Sequence, residues 1–226
     1  MKKLLVFMLC SFALFGCGSN DSSEKDKMNE PVLEKTELKD IEVVESGFTY
    51  DGSGYIQYGV RIHNPNKETA IEYPSFRIVC YDSNGTILSS EEQTLLYIAP
   101  QDDAYFGSVA SCNGKVPEKV EITPIPAKEY NFIDDVGKSN GKFIVSNTNV
   151  LDDGYGGKTF TGEVANESGE DMQQIQMVLI LRNNEKIVYG TTSYVDSVQA
   201  GAKVPFQIVS YNLPEYTSYE IYAYRW

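Results

Sequence analysis

The second half of this 226-residue chain repeats the first, and any fold proposed for it must contain the same unit twice. Tyr58-Gly59-Val60-Arg61-Ile62-His63-Asn64-Pro65-Asn66 matches Phe160-Thr161-Gly162-Glu163-Val164-Ala165-Asn166-Glu167-Ser168, with an aromatic, an aliphatic and an Asn in register. Ile78-Val79-Cys80-Tyr81 and the turn after it match Val178-Leu179-Ile180-Leu181 and its turn. Ala99-Pro100 matches Ala200-Gly201, each before an aromatic strand. Val116-Pro117-Glu118 and Glu121-Ile122 match Leu213-Pro214-Glu215 and Glu220-Ile221. A period of about a hundred residues is too long for a solenoid and reads as tandem copies of one domain. Between the copies, Pro124 to Gly141 is rich in Pro, Asp, Gly and Ser and reads as a linker.

The texture of each copy is that of short strands. The chain carries 16 Tyr and 10 Phe, many in stretches bounded by Gly, Asn, Asp and Pro, and such spacing points to a sandwich or barrel. The pattern predicts strands at Ile41–Tyr50, Tyr55–His63, Ser75–Tyr81, Thr86–Ile98, Ala104–Ser111 and Lys119–Thr123. The alternation within Ser75–Tyr81 is imperfect, which suits a strand in the middle of a sheet. Asp82-Ser83-Asn84-Gly85 and Asn113-Gly114 are turns, because Asn and Gly accept the positive φ a tight turn needs.

Before the repeat the chain changes character twice. Lys2 and Lys3 precede an apolar run from Leu4 to Phe15, broken only by Ser11. That run falls short of the roughly 20 residues a bilayer span requires and has the length of a signal-peptide core. Gly16 and Cys17 follow, and together these features resemble a bacterial lipoprotein signal. The resemblance implies cleavage before Cys17, acylation of its thiol, and a chain anchored to the membrane by lipid rather than spanning it. From Gly18 to Asp40 the residues are mostly Ser, Asp, Glu and Lys, too polar to order by burial, and read as a tether. A short helix within Val32 to Asp40 is compatible with its helix formers. Loss of residues 1–16 removes Lys2 and Lys3 and takes the net charge from −13 to −15. So acidic a chain argues against nucleic acid, which rewards Lys and Arg on phosphate.

The strand ending in Ile62-His63-Asn64, the strand closing on Tyr81-Asp82-Ser83-Asn84-Gly85 and the Ala99-Pro100 bend resemble FxLYD-type β-sandwich domains of bacterial envelope lipoproteins. The second copy keeps Val164-Ala165-Asn166 and Ala200-Gly201 but has Arg182 and Glu185 in place of the turn Asp and Gly. The resemblance implies two tandem immunoglobulin-like domains, at 41–126 and 141–226, after a signal at 1–16 and a tether at 17–40, with a linker at 127–140. Such domains are generally of unknown or binding function, and the resemblance carries no functional residues with it.

Chemistry is sparse. His63 is the only histidine, so any Ser-His-Asp or Cys-His arrangement must use it, and it sits at a strand end where the other copy has Ala165. Asp152-Asp153-Gly154-Tyr155-Gly156-Gly157-Lys158-Thr159 ends like a phosphate loop but lacks the earlier glycine and precedes a strand rather than a helix. Asp152 and Asp153 are weak candidates for calcium, without the alternating acids of an EF-hand. No pair of carboxylates stands out for glycoside hydrolysis. Cys80 and Cys112 are the two cysteines outside the signal and lipid site, an even pair in an exported chain, and are the disulfide candidates. Tyr189, Tyr194, Tyr211, Tyr216, Tyr219, Tyr222 and Tyr224 cluster in the second copy; alternation turns some outward, where rings can stack on sugars or meet a protein. The expectation is therefore a lipid-anchored binding or scaffold module outside the cytoplasm, with no cofactor and no catalytic residue. Its partner would be an envelope protein or a wall polysaccharide. The alternative is a carbohydrate-binding or carbohydrate-active envelope protein.

Overall fold

The computed structural model describes residues 37–134 and 142–226. They are all β: among the described residues there are fifteen strands, one 3-10 turn at Glu129–Asn131 and no α-helix. The first half holds β1 Glu42–Tyr50, β2 Tyr55–His63, β3 Thr69–Glu72, β4 Ser75–Tyr81, β5 Ile87–Thr94, β6 Tyr97–Ile98, β7 Asp103–Ser111, β8 Lys119–Ile125 and β9 Phe132–Asp134. The second holds β10 Phe143–Asp152, β11 Gly157–Asn166, β12 Met172–Asn183, β13 Lys186–Val198, β14 Lys203–Tyr211 and β15 Ser218–Arg225. All sheets are three-stranded and antiparallel: β1-β2-β7, β5-β4-β8 and β6-β3-β9 in the first half, β10-β11-β14 and β13-β12-β15 in the second. No described helix is long and apolar enough to cross a membrane.

Sequence pattern and structure agree closely where alternation is clean. β2 and β4 have the limits expected, and β4 is indeed central in its sheet. The expected strand Thr86–Ile98 is instead two, β5 and β6, because Leu95 turns into the core and the chain bends there. β9 lies in the stretch expected to link the halves and pairs with β3, while the Ala127 amide donates to Asp40 Oδ1 at 2.7 Å. The expected short helix falls mostly outside the described residues, and positions 37–40 have no regular structure.

The repeat is visible in the strand order, since β1-β2-β7 with β5-β4-β8 has the connectivity of β10-β11-β14 with β13-β12-β15. Its Asn has a physical reason. Asn64 is fully buried and donates its side-chain amide to the carbonyls of Thr69, Ile98 and Ala99. Asn166 does the same to Glu170 and Val198. Each thereby satisfies the buried carbonyls of the bend before the fifth strand of its copy. One pairing of the repeat needs correction by a residue. Both central strands carry a bulge before the turn, at Cys80/Tyr81 and at Leu181/Arg182, so Cys80 corresponds to Leu181 rather than Ile180. The second turn is one residue shorter, with Asn183–Lys186 doing the work of Asp82–Thr86.

The sheets stack face to face in the order β5-β4-β8, β1-β2-β7, β13-β12-β15, β10-β11-β14. Ile56, Tyr58, Val60, Ile62, Phe76 and Phe106 fill the first core. Phe160, Val164, Met177, Leu179, Leu181 and Phe206 fill the second. Between the middle sheets, Val178, Ile180 and Ile187 of the second half join the core of the first. β12 is therefore buried on both faces, and every residue from Met177 to Leu181 has no exposed surface. What lets the middle sheets approach is a row of glycines. Gly47, Gly59 and Gly107 are cross-strand neighbours on β1, β2 and β7. A Cβ on Gly59 would lie 2.7 Å from Ile187 Cγ2, and one on Gly190 of β13 would lie 2.7 Å from Gly59 Cα. At the same register the outermost sheet of the second half carries Asn149, Thr161 and Gln207.

Candidate binding surfaces

The seam between the halves contains a linked set of ion pairs and stacked rings. Arg182, which the corrected register places opposite Tyr81 of the first copy, points into the seam with its side chain only 11% exposed. It bridges Glu45 of β1 at 2.6 Å and Glu220 of β15 at 2.8 Å. Glu220 also accepts from the Tyr222 hydroxyl at 3.0 Å. Tyr222 stacks on Tyr105 with ring centres 4.0 Å apart and planes at 9°, and Tyr224 lies beyond it at 6.4 Å and 18°. The Arg61 guanidinium covers the other side of Tyr105 at 5.9 Å. Burial pushes both the Tyr222 and Tyr224 hydroxyls well above the usual phenol range. A trough of about 510 Å³ runs along this seam, lined by Asp102, Tyr105, Ile144, Tyr222 and neighbours. The ring faces here are spent on one another, so the array joins sheets and offers a ligand only its edges.

His63 lies at the rim of that seam. Its Nδ1 is 2.9 Å from Asp103 Oδ1, and Asp103 also pairs with Arg61. A histidine–carboxylate pair is two parts of a triad, yet among the described residues no hydroxyl or thiol contacts the other ring nitrogen. The pair caps the end of β2 and β7, where His63 and Asp103 are register partners.

The second surface is the loop end of the second half, and the two copies differ there in kind. In the first copy this end is shut. Cys112 is buried and donates its amide to the Gly54 carbonyl at 2.7 Å. A Cβ on Gly54 would lie 2.6 Å from Gly114 Cα, so the loops touch. Ile56, with no exposed surface, plugs the gap. In the second copy the same end is an open trough of about 630 Å³, lined by Asp152, Lys158, Asn183, Leu213, Tyr216 and Thr217 among others. The loops can be aligned atom by atom. Asp51 Oδ1 accepts from the amides of Ser53 and Tyr55, and Asp153 Oδ1 from those of Tyr155 and Gly157. Lys158 therefore stands where Ile56 plugs the first copy, and Tyr155 where Ser53 stands. The Lys158 ammonium lies 5.1 Å from the Tyr216 ring centre and 3.3 Å from its hydroxyl. Tyr155 is 96% exposed, at the tip of a loop held stiff by Asp152 and Asp153.

The residues singled out from sequence fall as follows. Cys17 lies outside the described residues. Cys80 and Cys112 meet in the first core with sulfurs 3.2 Å apart, both as free thiols. Asp152 and Asp153 spend a carboxylate oxygen each on their own loop amides, and no group of three or more His, Cys, Asp or Glu among the described residues is arranged to hold a metal. Gly157-Lys158-Thr159 opens β11, a strand. Of the seven clustered tyrosines, Tyr189 and Tyr224 are buried, Tyr216, Tyr219 and Tyr222 are half-buried, and Tyr194 and Tyr211 are exposed. Tyr155 and Lys158 were met only within the phosphate-loop-like stretch Asp152–Thr159, without a binding role, and the glycine row was not singled out. Reading the two copies against each other at Ser53/Tyr155 and Ile56/Lys158 would have found the first two.

No family model and no curated protein matches the chain. Among solved structures it is similar to a calcium-binding mutant of a Bacteroides uniformis beta-glucuronidase, at 12% identity and TM-score 0.21, over 70% of this chain and 22% of that one. It is also similar to the C-terminal globular domain of an oligosaccharyltransferase from Pyrococcus abyssi, at 11% identity and TM-score 0.25, over 81% and 46%. A beta-glucuronidase from glycoside hydrolase family 2 matches at 13% and 0.21, over 70% and 20%. The chain thus spans under half the length of each of these, and likeness at this level carries no functional argument.

Proposed function

We propose that this chain is an extracytoplasmic lipoprotein of the bacterial envelope that acts by binding, with no catalytic step. In this reading residues 1–16 are a signal, Cys17 carries the lipid and 17–40 is the tether. Two immunoglobulin-like β-sandwich domains of FxLYD type follow at 41–126 and 141–226, joined through 127–140. The short apolar run before Gly16-Cys17 supports the anchor. The duplicated strand order with its paired Asn64 and Asn166 supports the tandem domains. The membrane is one partner, through the lipid; the other is an envelope protein or a wall polysaccharide. The observation that carries the binding reading is the open loop end of the second half, where the first copy is sealed. Loops on a rigid sheet scaffold are where proteins place recognition.

A diazirine-bearing amino acid at Thr217, inside the trough, tests this without presuming the partner's chemistry. Illumination of intact cells should give a discrete adduct that Tyr155→Ala or Lys158→Ile abolishes. Absence of an adduct, or one indifferent to both substitutions, would remove the binding surface. Fractionation of the same cells tests the anchor, because Cys17→Ala should release the chain from membranes; retention would count against lipid attachment.

A further inference from the structure

We infer that the open end of the second half is a subsite for a pyranose ring of a glycan, with Tyr155 as the stacking platform. This rests on the binding reading above and adds the class of ligand.

The fold does not need a large ring at position 155. Both copies hold the loop after their first strand with the same aspartate–amide bonds, and the first copy manages with Ser53 at the tip. A tyrosine at the equivalent place, 96% exposed, packs against nothing that stabilises the fold. One exposed ring is ordinary on a protein surface, and Tyr155 counts here because other differences between the copies lie beside it. The change is not isolated. Lys158 replaces the fully buried Ile56, which turns an apolar plug into a charged floor. The segment before the last strand is two residues longer in the second copy, between the matched Pro-Glu steps and the matched Glu-Ile steps. It contributes Tyr216, whose ring sits under Lys158. Lys158 and the longer segment thus meet in one trough, and Tyr155 stands on the loop at its edge, next to Gly156, which lines it.

The chemistry of the trough then selects the ligand. Lys158 and Asn183 supply donors, and Asp152, Asn183 and Glu215 supply acceptors, around a floor of Leu213, Pro214 and Tyr216. One cation against two carboxylates disfavours polyanions. The trough is broad and shallow rather than a deep apolar cavity of the kind that holds small apolar ligands. A pyranose ring offers an apolar C–H face for an aromatic ring and hydroxyls, each donor and acceptor, for mixed polar groups. Aromatic side chains with a polar end suit such half-wet contacts. A glycan chain also needs no enclosed pocket, since its neighbouring rings stay in solvent.

The test uses the full chain purified in detergent, with chitohexaose, cellohexaose and glycan strands freed from purified peptidoglycan as probes. Saturation-transfer NMR and titration read binding. At least one probe should bind with transfer to its ring C–H protons. Tyr155→Ala should weaken that probe roughly tenfold, the loss of one aromatic contact. The same variant should keep the wild-type melting temperature, so that weaker binding cannot be blamed on unfolding. Lys158→Ile, which installs the first copy's plug, should also weaken it. Failure of all three probes, or wild-type affinity in Tyr155→Ala, would overturn the sugar assignment. If at the same time the Thr217 adduct in cells is a protein and depends on Tyr155, the binding reading stands and only the ligand class falls. An adduct that ignores Tyr155 removes the platform from both.

Discussion

Cys80 and Cys112 show how much one pair of atoms can decide. Both are buried, on β4 and just after β7, with sulfurs 3.2 Å apart. The second copy has Leu181 where the first has Cys80 and Asn212 directly after its fifth strand, so the pair belongs to one copy only. In an exported chain we expect these thiols to be oxidised to a disulfide. Closing that loop would stabilise the fold by about 3–4 kcal/mol in the chain-entropy view. Burial, reinforced by the neighbouring Cys80, pushes the Cys112 thiol up to about 12. Raising the pKa this far lowers the thiolate fraction of Cys112 and with it the reactivity of that thiol once the chain has folded. Mass spectrometry of the unreduced protein should find no alkylatable thiol at either position; two free thiols would refute the bond. The reduced form has a further signature. Its folded state keeps the Cys112 proton to about 12, whereas an unfolded chain loses it near 8.5. Folding is therefore favoured by this group below about pH 8.5 and that advantage drains away as pH rises toward 12. Melting temperatures at pH 8 and pH 10.5 should diverge more for the reduced than for the oxidised protein.

At the scale of elements, the seam between β1-β2-β7 and β13-β12-β15 is governed by absent side chains. Gly47, Gly59 and Gly107 make a smooth strip on which Ile187 to Thr191 lie. Gly107→Val would drive a branched side chain into the backbone of Gly190, which no rotamer can avoid. Overpacking of this kind costs typically 1–3 kcal/mol, so the melting temperature should fall by roughly 2–12 °C for a body of this size. A calorimetric scan checks it, and an unchanged transition would mean that the sheets are not clamped there. Arg182 works at the same seam by charge. The strands themselves were legible in the sequence, because inward residues such as Ile56, Tyr58, Val60 and Ile62 alternate with period two. β3, β6 and β9 were not, since two to four residues are too few to show a period. The seam was invisible for a different reason. Glycine has no side chain to enter a hydrophobic pattern, and its role appears only once three strands place it in one row. The trough could be read only by comparing copies, since Tyr155 and Lys158 lie in a stretch whose one motif, an incomplete phosphate loop, points elsewhere.

For the whole molecule, the sequence suggests two domains on a polar string, with residues 141–226 able to fold alone. The packing leads to the opposite expectation. Val178, Ile180 and Ile187 face the first half and would be exposed in the isolated fragment, on a strand otherwise buried from both sides. That fragment should lack a stable monomeric state, giving broad amide resonances or associating on a sizing column. A sharp, well-dispersed monomer would show that the seam is dispensable. The first half presents its glycine strip and polar neighbours at the same seam and should be the more soluble piece. The asymmetry matters because a duplicated unit that docks onto its own copy has, in principle, no reason to stop. The second half offers the first an apolar face; if its own outer sheet resembled the strip that receives it, further chains could add head to tail and grow an open filament. Asn149, Thr161 and Gln207 occupy that register and raise side chains where the strip must be bare. That outer sheet thus offers a further copy no bare strip to dock on, and this route to an open filament closes at the second member.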